Sequence, residues 1–258
     1  MNEKNLIDYY NKFNEDKRLN TRHGQVEFIV SMHYINAYLK KMKKPKILDI
    51  GAGCGKYSIT LALEGYDVTA LELVKHNLRV IEQKSNKVTT CLGNAIDLSR
   101  FKDKTFDIVL LFGPMYHLCS KEEQEKALSE AKRVMKDDGV LFVAYCMNDY
   151  AVITHGFKEN YIMEALKEKQ IDQNFHVISK ETDLYNYVRL EDIDNLNKQV
   201  NLKRDKIIAV DGASNYIRST LNKMDDETFE LFIQYNLSIC ERKELIGASA
   251  HTVDILRK

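Results

Sequence analysis

The fold of this chain is decided by the stretch Lys46-Ile47-Leu48-Asp49-Ile50-Gly51-Ala52-Gly53-Cys54-Gly55. Its first half is mostly apolar and predicts a buried strand, and the apolar run 57–63 after it predicts a helix. The glycines between them permit a tight turn and let a ligand approach the backbone closely. The first turn of the helix offers free N–H groups to polar ligand atoms. The sequence therefore predicts a strand–turn–helix unit with a ligand at the turn.

The spacing of the glycines, together with two acidic residues, limits the class of ligand that the turn can bind. The spacing is G-x-G-x-G, not the G-x-G-x-x-G of dinucleotide folds, and Gly55-Lys56-Tyr57 lacks the Ser or Thr of a phosphate-binding P-loop. Asp49 precedes the first glycine, where a carboxylate repels a pyrophosphate but can accept hydrogen bonds around the ammonium of an amino-acid cofactor. Glu72 ends the next predicted strand, about twenty residues further on, where an acid can hold ribose hydroxyls.

A regular alternation of short apolar runs and amphipathic stretches covers residues 46–146 and predicts repeated βα units. The runs lack strict alternation, which is typical of parallel strands covered on both faces. Ser120 and Glu123 match a capping box at the start of a helix that we expect to end at Asp138-Gly139, and Asp97 is predicted to cap a short helix beginning at Leu98. The predicted strands are 46–50, 67–71, 88–92, 106–112 and 140–146, followed by 206–210 and 251–256 nearer the end of the chain.

This set of motifs resembles the class I S-adenosylmethionine-dependent methyltransferases over roughly residues 46–146. The turn 49–55 resembles the first motif of that family, and Glu72 resembles its ribose-binding acid. Gly93-Asn94-Ala95 is similar to the adenine-contact segment, although the family often has Asp at the position of Asn94. The resemblance implies an α/β, Rossmann-like, doubly wound sheet of seven mostly parallel strands with an antiparallel last strand, N-terminal helices and an insertion after the fifth strand.

The resemblance also implies a set of site residues around S-adenosyl-L-methionine. Arg22 is a candidate partner for the carboxylate of the methionine part of this cofactor. Tyr116 and His117, on the loop after the fourth strand, are candidate catalytic residues. His117 can be a substrate-orienting donor or a general base, or it can merely fix the loop. The expected cofactor-binding residues are Asp49, Gly51, Ala52, Gly53, Gly55, Glu72, Leu73, Asn94, Ala95, Leu111, Phe112, Gly113 and Arg22.

Four segments are expected along the chain. Residues 1–45 form an N-terminal helical lid segment, 46–147 the cofactor-binding α/β core, 148–204 a substrate-covering insertion and 205–258 the C-terminal completion of the sheet. The aromatic residues of the insertion can either line an apolar pocket or form a small core of their own.

The expected function is transfer of a methyl group to a small-molecule acceptor by in-line displacement. Lys and Arg total 38, as do Asp and Glu, and this neutral balance argues against a nucleic-acid partner. The five cysteines are unpatterned, which indicates no metal site and suits a reducing compartment. With no secretory signal or membrane span, we expect a cytoplasmic protein; the sequence carries no indication of oligomeric state. The alternatives left open are a methyltransferase acting on RNA or protein, an NAD-type oxidoreductase, and a non-catalytic S-adenosylmethionine-binding sensor.

Overall fold

The computed structural model describes residues 3–10 and 21–258, with side chains from Leu6 onward in the first range. The strands are β1 (Lys46–Ile50), β2 (Asp67–Glu72), β3 (Val88–Leu92), β4 (Phe106–Leu111), β5 (Met135–Met147), β6 (Tyr187–Val188), β7 (Lys203–Ala209) and β8 (His251–Arg257). The α-helices in these ranges are α1 (Glu3–Tyr10), α2 (Arg22–Leu39), α3 (Lys56–Leu63), α4 (Lys75–Lys84), α5 (Lys121–Val134), α6 (Asn148–Ala151), α7 (Ile162–Lys167), α8 (Leu190–Gln199), α9 (Arg218–Leu221), α10 (Asp226–Ile239) and α11 (Lys243–Ile246).

The strands form one sheet in the order β3-β2-β1-β4-β5-β8-β7. Neighbours from β3 to β5 pair in parallel, whereas β8 is antiparallel to both β5 and β7. The predicted mostly parallel sheet of seven strands with an antiparallel last strand is therefore confirmed. The two-residue strand β6, which pairs in parallel with the end of β5, is an addition that the sequence pattern did not indicate.

Both faces of the sheet are buried, which explains the continuous apolar runs of its strands. On β1, Ile47 belongs to one hydrophobic core and Leu48 to the other, and both side chains are fully buried. Residues of α2, α3 and α10 pack into the first core. Residues of α5 and α8 pack into the second. The chain thus has the layered helix–sheet–helix arrangement expected of a doubly wound α/β fold.

The end of the helix predicted from Ser120 is wrong. Ser120 does cap the helix, since its side chain accepts a hydrogen bond from the backbone N–H of Glu123. However, α5 ends at Val134 and not at Asp138-Gly139, because the chain already enters β5 at Met135. The pairing of Met135 with Phe106 is followed by an irregularity before the register with β4 resumes.

The short helix predicted to begin at Leu98 is also absent from this described region. Asp97 accepts a hydrogen bond from the backbone N–H of Ser99 at 3.0 Å, and it forms an isolated antiparallel bridge with Asn94. The polar side chains at this position therefore stabilise a turn, a role that competes with helix capping for the same residue types.

The segment after β5 has a small apolar cluster of its own. Val152, Ile162, Ala165 and Ile171 form this cluster, and Tyr161 packs against it. Further along, β6 and α8 add Val188, Ile193 and Leu196 to the second core of the sheet. No helix of the ranges 3–10 and 21–258 combines the length and apolar character needed to cross a membrane.

A buried ion pair joins the two antiparallel strands at the edge of the sheet. Asp254 of β8 is fully buried and accepts hydrogen bonds from Arg204 Nε at 2.7 Å and Arg204 Nη2 at 2.8 Å. Asn197 of α8 donates a third hydrogen bond to the same carboxylate at 2.6 Å. A carboxylate buried in this way is stable only while its donors are present.

We expect Arg204→Ala to lower the free energy of unfolding by about 3–5 kcal/mol, because it leaves the Asp254 carboxylate buried without its cation. The control is Lys206→Ala, on the same strand as Arg204, which removes a more exposed ion pair with Glu241. This change is expected to lower the free energy of unfolding by less than about 1 kcal/mol. Urea unfolding monitored by circular dichroism measures both. Equal losses in the two variants would contradict this account of the sheet edge.

Candidate functional site

The glycine turn after β1 adopts a backbone that requires glycine. Gly51, Gly53 and Gly55 have φ angles of +72°, +55° and +81°. At Gly51 a Cβ atom would also lie 2.6 Å from Cδ of Pro114, so a side chain there would collide with the loop after β4. The backbone N–H of Gly51 donates to the carbonyl of Leu71 at 2.8 Å. The turn is therefore held against the ends of both neighbouring strands.

Two buried carboxylates flank this turn. Asp49 is 2% exposed and accepts a hydrogen bond from Ser58 Oγ at 2.6 Å. Glu72 is 6% exposed, and it accepts hydrogen bonds from the backbone N–H groups of Gly53 at 2.8 Å and Val74 at 2.9 Å. Because β1 and β2 are adjacent and parallel, both carboxylates lie at the carboxyl edge of the sheet, where open α/β sheets bind ligands.

The environment of these carboxylates opposes their negative charge. Burial raises the pKa of Asp49 to about 6, and the nearby charge of Glu72 adds to this effect while the Ser58 hydrogen bond opposes it. Burial likewise raises the pKa of Glu72, against the hydrogen bonds from Val74, Gly53 and Asn77. No cation of the described residues contributes to either shift. The site therefore favours a ligand that brings positive charge.

A cavity opens at this edge, bounded by the glycine turn, the ends of β2 and β3, the loop after β4 and helix α1. Most residues expected from the sequence to bind a cofactor line it. They are Asp49, Gly51, Ala52, Gly53, Glu72, Leu73, Asn94, Ala95, Phe112 and Gly113, together with the candidate catalytic residues Tyr116 and His117.

Three of the expected residues do not line the cavity. Gly55 caps the start of α3 and supports the turn from behind. Leu111 is fully buried in the second core of the sheet. Arg22 points away, since it forms an ion pair with Asp226 at 2.6 Å and lies over the ring of Phe229 at 4.9 Å. The expectation that Arg22 binds a ligand carboxylate in this cavity is therefore corrected: in this structure that side chain is committed to α10.

His117 is held on both sides of its ring. Its Nδ1 lies 2.7 Å from the carbonyl oxygen of Leu184, and because a carbonyl only accepts, Nδ1 carries the proton. Nε2 lies 2.7 Å from the hydroxyl of Tyr10 and accepts from it in the neutral ring. Burial lowers the pKa of His117 to about 4, against the bond to Leu184. A neutral ring with both nitrogens engaged supports the loop-fixing alternative over a general base.

Several residues around the cavity were not singled out from the sequence. Asn77 of α4 donates to Glu72 Oε1 at 3.4 Å. Glu27 of α2 lines the cavity from the segment that was expected to form an N-terminal helical lid. Neither residue stands in a recognisable motif, so only the three-dimensional arrangement could find them. The further lining residues of this kind are Leu6, Cys54, Lys56 and Tyr57.

Comparison with known proteins places the central segment in a recognised family. Residues 48–143 match the family described as "Methyltransferase domain". A glycine/sarcosine N-methyltransferase of Aphanothece halophytica is 29% identical over 128 residues, which are 48% of this chain and 48% of that protein. A demethylmenaquinone methyltransferase of Renibacterium salmoninarum is 35% identical over 99 residues, 38% and 40% of the two chains. The chain thus spans less than half the length of these relatives.

The fold is shared over almost the whole chain. A crystal structure of an S-adenosylmethionine-dependent methyltransferase from Thermotoga maritima superimposes with a TM-score of 0.60 at 18% identity, covering 97% of each chain. The Rossmann-like α/β fold expected from the resemblance is therefore confirmed.

Residues 48–143 therefore match a methyltransferase domain, and the fold of the chain is the one seen in S-adenosylmethionine-dependent methyltransferases. Both findings agree with S-adenosyl-L-methionine as the cofactor, which was the expectation from the G-x-G-x-G turn and its two acids.

The low pKa of His117 has a consequence for stability. The folded-state value of about 4 lies below the ordinary value of 6.5, so the unfolded chain binds the extra proton first. The stabilisation is complete above pH 6.5 and is lost as the pH falls towards 4. Between pH 7 and pH 4.5 we expect the free energy of unfolding of His117→Asn to fall by about 2 kcal/mol less than that of the wild type, measured by urea unfolding. A parallel pH dependence in wild type and variant would contradict the burial of a neutral ring, and His155→Asn, at a largely exposed position, is the control.

Proposed function

We propose that this protein binds S-adenosyl-L-methionine in the cavity beside the glycine turn and transfers its methyl group to a small-molecule acceptor by in-line displacement. The observation that carries the proposal is the pair of buried carboxylates, Asp49 and Glu72, which line the cavity and have no cation among the causes of their raised pKa values. Lys56 also lines the cavity, but its Nζ lies 5.0 Å from the ring centroid of Phe28. A sulfonium nucleoside with an ammonium group supplies the positive charge that this pair lacks.

The residues present fit such a cofactor. Each oxygen of Glu72 accepts at least one hydrogen bond from the protein, and a carboxylate oxygen has a second lone pair that can accept from a ribose hydroxyl. Asp49 is assigned to the ammonium end, directly or through water. Leu73, Asn94 and Ala95, at the ends of β2 and β3, are assigned to the adenine. When bound, the cofactor supplies a methyl group activated by its positive sulfur.

The contribution of the protein itself is position and exclusion of water. An in-line displacement requires the nucleophile, the methyl carbon and the leaving sulfur to lie on one axis. The loop after β4 carries Tyr116 over the cavity, and its ring packs against Tyr185 at 6.1 Å between centroids. Tyr10 of α1 closes the same side through its hydrogen bond to His117. These rings shield the reacting atoms from solvent, which strengthens electrostatic interactions inside the site.

A small-molecule acceptor is favoured over a macromolecule by two observations. The chain carries no excess of positive charge, which a nucleic-acid substrate would call for. The relatives reported above are named for small acceptors, glycine or sarcosine and demethylmenaquinone.

Incubation of the protein with methyl-labelled cofactor and a cell extract tests the assignment, with label expected in the small-molecule fraction. Label in RNA or protein would instead indicate a methyltransferase that acts on a macromolecule. Binding of the cofactor without transfer of the methyl group would favour a non-catalytic sensor.

Glu72→Gln is expected to weaken S-adenosylmethionine binding by about 1–3 kcal/mol, since it removes charged hydrogen bonds to the ribose. This is roughly a 5- to 150-fold rise in Kd, measured by isothermal titration calorimetry. Glu64→Gln, at an exposed position just after α3, is the matched control and should bind as the wild type does. An unchanged affinity in a folded Glu72→Gln protein would remove this residue from the cofactor site.

The raised pKa of Asp49 predicts a pH-dependent affinity for the cofactor. Below its pKa of about 6 the carboxyl is protonated, and it no longer attracts a cation. Affinity for S-adenosylmethionine should therefore fall about tenfold from pH 7 to pH 5, and Asp49→Asn should abolish that step. Methylthioadenosine, which lacks the ammonium and the sulfonium charge, serves as the control ligand. The same pH step for this neutral ligand would show that the titration reports something other than charge pairing.

A further inference from the structure

His251 lies beside Tyr116 and Glu27, two residues that line the cavity. It opens β8 and pairs with Cys146 near the end of β5, so it lies at the carboxyl edge of the sheet. In the strand order, β1 and β2 carry Asp49 and Glu72 on one side of β4, whereas β5 and β8 follow on the other. Tyr116, after β4, connects the two sides, since it lines the cavity and its ring centroid is 6.4 Å from that of His251.

The partner of His251 is a carboxylate that is saturated with hydrogen-bond donors. Asp211 is fully buried just after β7. Its Oδ2 accepts from Asn215 Nδ2 and from His251 Nδ1, both at 2.7 Å. Its Oδ1 accepts from the backbone N–H of His251 at 3.0 Å and from the hydroxyl of Ser249. With two donors on each oxygen, the Asp211 carboxylate has no lone pair left to bind a proton. Burial raises the pKa of Asp211, but the charge of His251 and the hydrogen bonds from His251 and Ser249 outweigh burial and lower the pKa.

These contacts fix the charge of His251. Burial alone would lower its pKa, but the negative charges of Glu27 and Asp211, with the hydrogen bond to Asp211, outweigh burial and raise the pKa well above the ordinary value. The nearest ring atom to Glu27 is also Nδ1, at 3.8 Å from Oε2. Both carboxylates therefore face the Nδ1 side of the ring, and Nε2 lies on the opposite side. The side chain keeps 24% of its surface exposed.

A metal ion is the other ligand to consider here. Among the described residues, one group of possible metal ligands has its ligand atoms within 4.8 Å of one another, and it consists of Glu27, Asp211 and His251. The hydrogen bond between Nδ1 and Asp211 argues against that assignment. It uses the imidazole nitrogen nearest to both acids, and the other donors occupy the remaining lone pairs of Asp211. The arrangement is that of an ion pair with one outward donor.

We propose that His251, paired through Nδ1 with the hydrogen-bonded Asp211 carboxylate, uses its Nε2–H to bind an anionic oxygen of the methyl acceptor, so that the acceptor belongs to the acidic hydroxyl compounds, such as phenols, enols or carboxylic acids. The inference rests on the proposed function, because it assigns the acceptor half of the same cavity. An imidazolium repels an ammonium group but stabilises an oxyanion through a charge-assisted hydrogen bond. Asp211 is then a positioning residue, which keeps the ring charged and oriented.

The proposed methyl transfer needs no general base from the protein. The acidic hydroxyl loses its proton to solvent on binding, because the imidazolium stabilises the resulting anion. The oxygen lone pair then forms the bond to the methyl carbon while the bond from that carbon to sulfur breaks, and its electron pair stays on sulfur. One positive and one negative charge are consumed, and two neutral products leave. This agrees with the neutral, fully engaged ring of His117, which is not available as a base.

The test uses 4-nitrophenol as the probe, because its phenolate is coloured and its ionisation can be followed without turnover. The wild-type protein, with and without S-adenosylhomocysteine, is titrated with the probe over a range of pH. We expect saturable binding and a pKa of the bound phenol about one to two units below that of the free phenol, the scale of one charged hydrogen bond. His251→Gln, whose amide can still donate to Asp211, should lose the shift. His251→Lys, which restores a cation, should recover part of it, and His155→Gln should behave as the wild type does.

An unshifted pKa for the bound phenol, a shift that persists in folded His251→Gln, or no saturable binding of the probe would overturn the proposal. Tighter binding of benzylamine than of 4-nitrophenol would do the same, since it would indicate an amine acceptor. The proposed function is tested separately by calorimetry with S-adenosylmethionine. A shift that persists in a protein unable to bind the cofactor would retain the anion site and refute the methyltransferase assignment.

Discussion

The structure depends on the burial of two carboxylates at the ends of adjacent parallel strands. Asp49 and Glu72 are almost completely removed from water, and each is anchored to the glycine turn or to the helix behind it, through Ser58 and through the backbone of Gly53. Burying charge without a counter-charge is costly, and the cost appears as raised pKa values for both groups. On our proposal the same constraint makes the site selective, because a cationic nucleoside relieves the cost of burying the two charges whereas a pyrophosphate increases it.

The order of the strands then divides the cavity into two halves. In our proposal the cofactor half lies over β1, β2 and β3, and the acceptor half lies over β4, β5 and β8, as the strand order places them. The antiparallel insertion of β8 between β5 and β7 is what brings His251, from the last residues of the chain, to the carboxyl edge of the sheet. Asp211 reaches the same edge because β7 runs parallel to β5. The C-terminal segment thus does more than complete the sheet: it carries the charged pair to which we assign the acceptor.

The sequence predicted the sheet, and it predicted most of the residues that line the cavity at the glycine turn, because both depend on local patterns. Apolar runs, the spacing of three glycines and an acid at a strand end are readable one segment at a time. The end of α5 was misplaced because β5 starts early, with an irregular pairing that only the neighbouring strand explains. Arg22 was misassigned because its partner, Asp226, is distant in sequence. His251 was read only as the first residue of a strand, since neither Asp211 nor Tyr116 is near it along the chain.

The central claim is that the glycine turn and its two buried acids select a positively charged amino-acid nucleoside. Calorimetric titration of the protein with S-adenosylmethionine and, in parallel, with NAD tests it most directly. The account predicts saturable one-to-one binding of S-adenosylmethionine and none of NAD under the same conditions. Binding of NAD, or the absence of heat with S-adenosylmethionine in a folded sample, would contradict it.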